Sequence, residues 1–197
     1  MAYLIGLTGG IATGKSTVAS QIAERFPVID ADEVVRKLEM KGEAAYTAIV
    51  NEWGSTILNT DGELNRSRLA ALIFNDDRAR KRLNQLLDPL IRAKLTQLLA
   101  ELSAEKVVFV DIPLLFEQEY QQLVDEIWLV YAPKSLQLTR LMARNNYSKS
   151  ESLARINAQM PIEDKRKLAD VVIDNSQDLR QTTAEVLEKL NQLGEQF

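Results

Sequence analysis

The 197-residue chain contains no cysteine and no histidine. The first absence excludes disulfides, thiol nucleophiles and thiolate zinc sites. The second excludes Ser-His-Asp triads and imidazole metal ligands. Proton transfer at neutral pH therefore falls to carboxylates, lysine or tyrosine, and a bound metal has to be a hard cation on oxygen ligands, magnesium first. No uninterrupted apolar run approaches the ~20 residues that cross a bilayer. The opening residues lack a basic segment followed by an apolar stretch and a cleavage site, so no secretory signal is read there and a cytoplasmic location is expected. With 24 basic against 28 acidic side chains there is no basic field to draw in nucleic acid. No nucleic-acid, membrane or obligate protein partner is expected.

What is present suits a soluble globular chain: 46% hydrophobic and 26% charged residues, in a length that buries a sizeable core. Short β-rich apolar runs at 3–8, 27–32, 106–111, 126–133 and 170–175 alternate with helical patterns, which predicts an α/β fold with a five-stranded parallel sheet flanked by helices. Helices are expected over 15–25, from an N-cap at Asp32, over 43–54 closed by Gly54, and over 66–75 capped by Asn65. Asp88-Pro89 reads as a break, a fresh N-cap followed by proline at the first helical position, between helices over 77–87 and up to about 103. Ser148 and Glu151 form a capping box, Pro161 restarts a short helix, and 178–193 is the last helix. One domain over 1–197 is expected. Its core comprises 1–31, 104–133 and 168–197. An inserted helical lobe covers about 32–103, far more than a crossover needs, and a lid about 134–167.

The sharpest motif is Gly9-x-x-x-x-Gly14-Lys15-Ser16, after a predicted strand and opening a predicted helix. Glycine lets backbone N–H groups converge on phosphate oxygens, and a helix N-terminus adds partial positive charge. Gly10, Ile11, Ala12, Thr13, Gly14, Lys15, Ser16 and Thr17 are thus the nucleotide-binding stretch, with Lys15 on the β- and γ-phosphates and Ser16 on magnesium. Ala12 is expected at negative φ, where alanine replaces glycine at little cost. No Asn-Lys-x-Asp guanine reader and no Leu-Ser-Gly-Gly signature occurs. The strand ending at Asp111 is followed by Ile112 and Pro113, with no glutamate to polarise water. This favours transfer to a bound acceptor over hydrolysis.

Transfer needs a group to orient the acceptor hydroxyl. Asp30 and Asp32, two apart at the end of the second strand, are candidates on one face, though Asp32 also suits a helix cap. Transfer also needs positive charge over the moving phosphoryl group. Arg140 and Arg144 lie four apart on one helix face, with Arg155 and Arg166 on the helices after it. They suit a closing lid, or a solvated basic face. Asp111 either contacts magnesium through water or only ends its strand.

At this point the chain resembles the dephospho-coenzyme A kinase family over nearly its whole length. The resemblance rests on GLTGGIATGKS (6–16), VIDADEVVR (28–36), DPLIR (88–92), VDIPLLFE (110–117), QLTRLMARN (137–145) and ADVVIDN (169–175), in that order and spacing. It implies a P-loop fold similar to the nucleoside monophosphate kinases, with a helical acceptor lobe and a lid. It implies transfer of the ATP γ-phosphoryl group to the ribose 3′-hydroxyl of dephospho-coenzyme A, the last step of coenzyme A synthesis, with ATP and Mg2+ bound. Asp32 then matches the family's base, Arg140 and Arg144 its lid arginines, and Asn175 the segment beside the adenine. Leu114, Leu115 and Glu117 match the stretch bordering the acceptor. Two positions depart from the family pattern. Ala12 and Thr13 replace glycine and serine, and Asp88 replaces histidine before Pro-Leu-Ile. The nearest other readings are a different small-molecule or nucleoside monophosphate kinase, and a nucleotide-binding switch that would not need the Asp32 and arginine set.

Overall fold

Five apolar runs become five strands, because a parallel sheet covered on both faces accepts continuous Val, Ile, Leu and Phe. The computed structural model describes residues 2–197, with the side chains of residues 74 and 75 outside that description. The strands are β1 (Tyr3–Gly9), β2 (Val28–Asp30), β3 (Val107–Asp111), β4 (Glu126–Tyr131) and β5 (Val171–Asp174). They form one parallel sheet in the order β2-β3-β1-β4-β5. All five residues of β3 are buried. The register sets Leu7 of β1 beside Asp111 of β3 and Trp128 of β4. The ends of β1 and β3 are therefore neighbours at the carboxyl edge of the sheet, where open α/β sheets bind ligands.

The chain divides into two units. The first runs up to Ile29 and resumes over Leu102–Phe197. It holds the sheet with α1 (Lys15–Ala23), α6 (Lys134–Asn145), α7 (Lys149–Asn157), α8 (Ile162–Leu168) and α9 (Leu179–Gln196). One core joins Ile5, Leu7, Phe109, Trp128, Val130 and Ile173 of the sheet with Val18 and Ile22 of α1 and Val186 and Leu190 of α9. Within it the Phe109 and Trp128 rings meet edge to face, 5.2 Å apart. A second cluster seats Ile162 of α8 on Leu129 and Tyr131. Ser148 and Glu151 make the expected capping box at the start of α7.

The second unit, Asp30–Glu101, is helical: α2 (Ala31–Leu38), α3 (Ala44–Trp53), α4 (Arg66–Asn75) and α5 (Asp77–Glu101). Its apolar residues recur at helical spacing, Val34 and Leu38 on α2, Ala45 and Ile49 on α3, and Ala79, Leu83 and Leu87 on α5. Asn65 caps α4 by accepting from the Arg68 N–H at 2.9 Å, and Gly54 closes α3 at a φ of 70°.

Three expectations are corrected. Asp88-Pro89 is not a break, since α5 runs through it for 25 residues. Proline removes one helical hydrogen bond at a cost of about 3 kcal/mol, and packing against α2, α3 and α4 carries α5 past it. Asp88 caps nothing there. Both its oxygens accept from the Arg92 Nε, at 3.0 and 2.8 Å, one turn on. The cap of α2 is Asp30, whose Oδ1 accepts from the Glu33 N–H at 3.1 Å, and Asp32 lies in the first turn. The two aspartates therefore do not alternate along one strand, because the helix begins between them.

The third correction is Ala12, whose φ is +61°. Residues 10–13 form a turn closed by the Thr13 N–H on the Gly10 carbonyl at 3.3 Å, and the Thr13 hydroxyl donates to the same oxygen at 2.9 Å. Ala12 is the third residue of that turn, the position where type II geometry needs positive φ. The left-handed region costs an L-residue about 1–2 kcal/mol, so Ala12→Gly is expected to stabilise the protein by about 1 kcal/mol after the entropy of glycine is deducted. The urea midpoint measures it, and an unchanged or lower midpoint contradicts the strain.

Candidate active site

β1 ends at Gly9, and after five intervening residues the chain re-enters regular structure as α1 at Lys15. Gly14 occupies the N-cap with φ +92°. A Cβ there would stand 2.1 Å from the Asn175 amide nitrogen, so glycine is required twice over. No side chain caps α1, its first turn carries no acidic residue, and Ser16 and Thr17 are exposed. That leaves an uncapped helix N-terminus, a setting that favours an anion.

The carbonyls of Gly9, Gly10 and Thr13 turn toward the protein and meet donors there. The Thr13 carbonyl accepts from the Asn175 amide at 2.7 Å and from Arg140 at 3.5 Å. Arg140 also donates to the Asn175 carbonyl at 3.0 Å, and the Thr182 hydroxyl donates to Asn175 Oδ1 at 2.9 Å. The Gly9 carbonyl accepts from Lys165 at 3.2 Å. On the opposite side of the Gly10–Ile11 peptide, the Ile11 N–H donates to Gln159 Oε1 at 2.8 Å.

Lys15 Nζ reaches the Asp111 carboxylate at 2.5 Å. Asp111 is almost fully buried at the end of β3. The pair keeps the lysine beside the loop it is expected to serve. No group of three or more metal-ligating side chains exists among the described residues. The oxygens at hand, the Ser16 hydroxyl and the Asp111 carboxylate, are hard donors too few for a protein cage. They fit a magnesium ion that takes its remaining ligands from phosphate and water.

Asp30 and Asp32 belong to the second unit. Asp30 is committed to its cap, while Asp32 is exposed. Of the four candidate arginines, Arg140 is the one bonded to the loop. Arg144 is exposed one turn on, its Nε donating to Asn145 Oδ1 at 2.8 Å. Arg155 stacks on the Tyr147 ring at 4.3 Å and Arg166 on the Tyr131 ring at 4.7 Å. Leu114 is half-buried and Leu115 fully buried, where its methyl closes on Gly6 so tightly that a Cβ there would stand 2.6 Å away. Glu117 Oε1 accepts from Lys165 Nζ at 2.9 Å and from the Met160 N–H at 3.0 Å. The Tyr131 phenol is raised above its ordinary value, first by its hydrogen bond to Glu163 at 2.7 Å and then by burial. It therefore stays protonated at neutral pH and supplies no base.

Three residues around the loop carry no motif: Gln159, Lys165 and Thr182. Lys165 does leave a trace in the sequence. It lies three residues after Ile162, on the apolar face of α8, where a solvated lysine would not be placed.

The family model for dephospho-CoA kinase matches residues 3–181. A dephospho-CoA kinase of Streptococcus agalactiae is 46% identical over 195 residues, covering 98% of this chain and 100% of its own. A solved structure from Thermus thermophilus superposes with a TM-score of 0.85 at 33% identity, covering 98% of this chain and 97% of its own. The dephospho-CoA kinase of Campylobacter jejuni superposes at 0.76 with 30% identity, covering 99% and 98%. A chain with this phosphate loop, matched along almost all its length, belongs to the dephospho-CoA kinase family.

Proposed function

We infer that this chain carries out its family's reaction, ATP-dependent phosphorylation of dephospho-coenzyme A at the ribose 3′-hydroxyl, giving coenzyme A and ADP. The observation that carries the reading is the uncapped start of α1 behind the Gly9–Gly14 loop, with Lys15 held at its mouth by Asp111. The backbone N–H groups of Gly10, Ala12, Gly14, Lys15 and Ser16 would cradle the phosphates, while those of Ile11, Thr13 and Thr17 are spent on Gln159 and on the carbonyls of Gly10 and Gly14. Lys15 would exchange Asp111 for the β- and γ-phosphates, one anion for another. Ser16 and Asp111 would hold Mg2+, which when bound neutralises charge on the phosphates.

Asp32, an exposed carboxylate, is proposed to orient the acceptor hydroxyl and take its proton. Arg144 is proposed to reach the transferring phosphoryl group. Arg140 has a different part, since its guanidinium is spent on the carbonyls of Thr13 and Asn175. It shapes the loop that holds ATP. Leu114 and the chain around it border the acceptor in this reading. Leu115 and Glu117 contribute from beneath, through packing and through Lys165. Because catalysis of phosphoryl transfer is mostly positioning and electrostatics, each assignment predicts its own kinetic signature.

Asp32→Asn is expected to lower kcat by about 10²-fold with little change in ATP affinity. Steady-state kinetics with dephospho-coenzyme A measures this, and near-normal turnover removes Asp32 from the base role. Arg144→Ala is expected to lower kcat by about 10²-fold, whereas Arg140→Ala is expected chiefly to raise the KM for ATP. If Arg144→Ala leaves kcat untouched, or if the two variants behave alike, the division of labour between them is wrong.

A further inference from the structure

Lys165 is fully buried in α8, and beyond its pairing with Glu117 it has been given no role of its own. An ammonium carries three donors, and here each has one acceptor: the Gly9 carbonyl at 3.2 Å, the Pro113 carbonyl at 3.2 Å and Glu117 Oε1 at 2.9 Å. The acceptors come from separate stretches of chain. Gly9 is the last residue of β1, where the phosphate loop begins. Pro113 and Glu117 belong to the turn after β3. Pro113 is held a second time, by the Thr8 hydroxyl at 3.2 Å, and Glu117 a second time, by the Met160 N–H.

A buried charged pair is a poor device for stability alone, since an apolar side chain of similar volume usually serves as well. What an ammonium offers and a methionine does not is direction. A trans peptide points its carbonyl and the next N–H to opposite sides. Drawing the Gly9 carbonyl inward therefore aims the Gly10 N–H outward, toward the face where phosphate is expected. The same nitrogen fixes the Pro113 carbonyl, and with it the start of the 113–117 turn.

We propose that Lys165 is a positioning residue for phosphoryl transfer, whose buried ammonium holds the entrance of the phosphate loop at a fixed offset from the 113–117 turn. The proposal rests on the reading above, in which the loop carries ATP and that turn borders the acceptor. Lys165 touches neither substrate. Its loss should misalign donor and acceptor while the loop still binds nucleotide.

The test is the double variant Lys165→Met with Glu117→Gln, which removes the ammonium without stranding a buried carboxylate. Folding is followed by circular dichroism, and turnover is expressed per ATP-binding site titrated in the same sample, so a partly unfolded preparation cannot imitate the effect. The expected result is a folded protein whose kcat falls by tenfold or more, toward the ~10²-fold that a misplacement of about 1 Å costs. The KM for ATP should change by less than about fivefold. A smaller fall in kcat, a larger change in the KM for ATP, or a double variant that does not fold would each assign Lys165 to the fold alone and overturn the proposal. Failure of the underlying reading looks different, because the unsubstituted protein would then not turn over dephospho-coenzyme A.

Discussion

A loop that offers its N–H groups to an anion must hide its carbonyls, and each hidden carbonyl needs a donor. Much else in the first unit follows from that constraint. The Thr13 carbonyl takes Asn175 and Arg140, the Gly10 carbonyl takes the Thr13 hydroxyl, and the Gly9 carbonyl takes Lys165. These donors come from the end of β5, from α6, from the loop itself and from α8. The parallel sheet earns its topology here, since β1 at the centre lets elements following β4 and β5 converge on the same loop.

The constraint also explains why some side chains tied to ATP or the acceptor by family resemblance face the protein instead. Asn175 spends both ends of its amide on Thr13 and Thr182, and Glu117 spends Oε1 on Lys165 and Met160. Such residues act on the reaction through the backbone they fix. Asp111 occupies a middle case. It holds Lys15 now and offers a hard oxygen to magnesium in the proposed reaction cycle.

Much of this was legible in the sequence. The five strands announce themselves because buried parallel strands are uniformly apolar, and the phosphate loop because its glycines, lysine and serine have fixed offsets. The capping box at Ser148 and the cap at Asn65 are local and were readable for that reason. What was not legible depends on distant partners. Pro89 looked like a helix break because the packing of α5 on three other helices is invisible locally. Ala12 looked unstrained because nothing in its neighbours' identities states that the turn closes on Gly10. Asp32 reads as the cap because the strand-like run extends to residue 32, whereas β2 ends at Asp30, which serves as strand end and helix cap at once. Lys165 leaves only the trace of its place on the apolar face of α8, since the carbonyls that bury it lie in other segments of the chain.

The central claim is that the γ-phosphoryl group passes to a bound hydroxyl and not to water. It is tested most directly by ADP release from ATP and Mg2+ with dephospho-coenzyme A, with nucleoside monophosphates, with shikimate and with no acceptor. The account predicts sustained release with dephospho-coenzyme A alone. Release at a comparable rate without acceptor, or with a monophosphate or shikimate in its place, would contradict it.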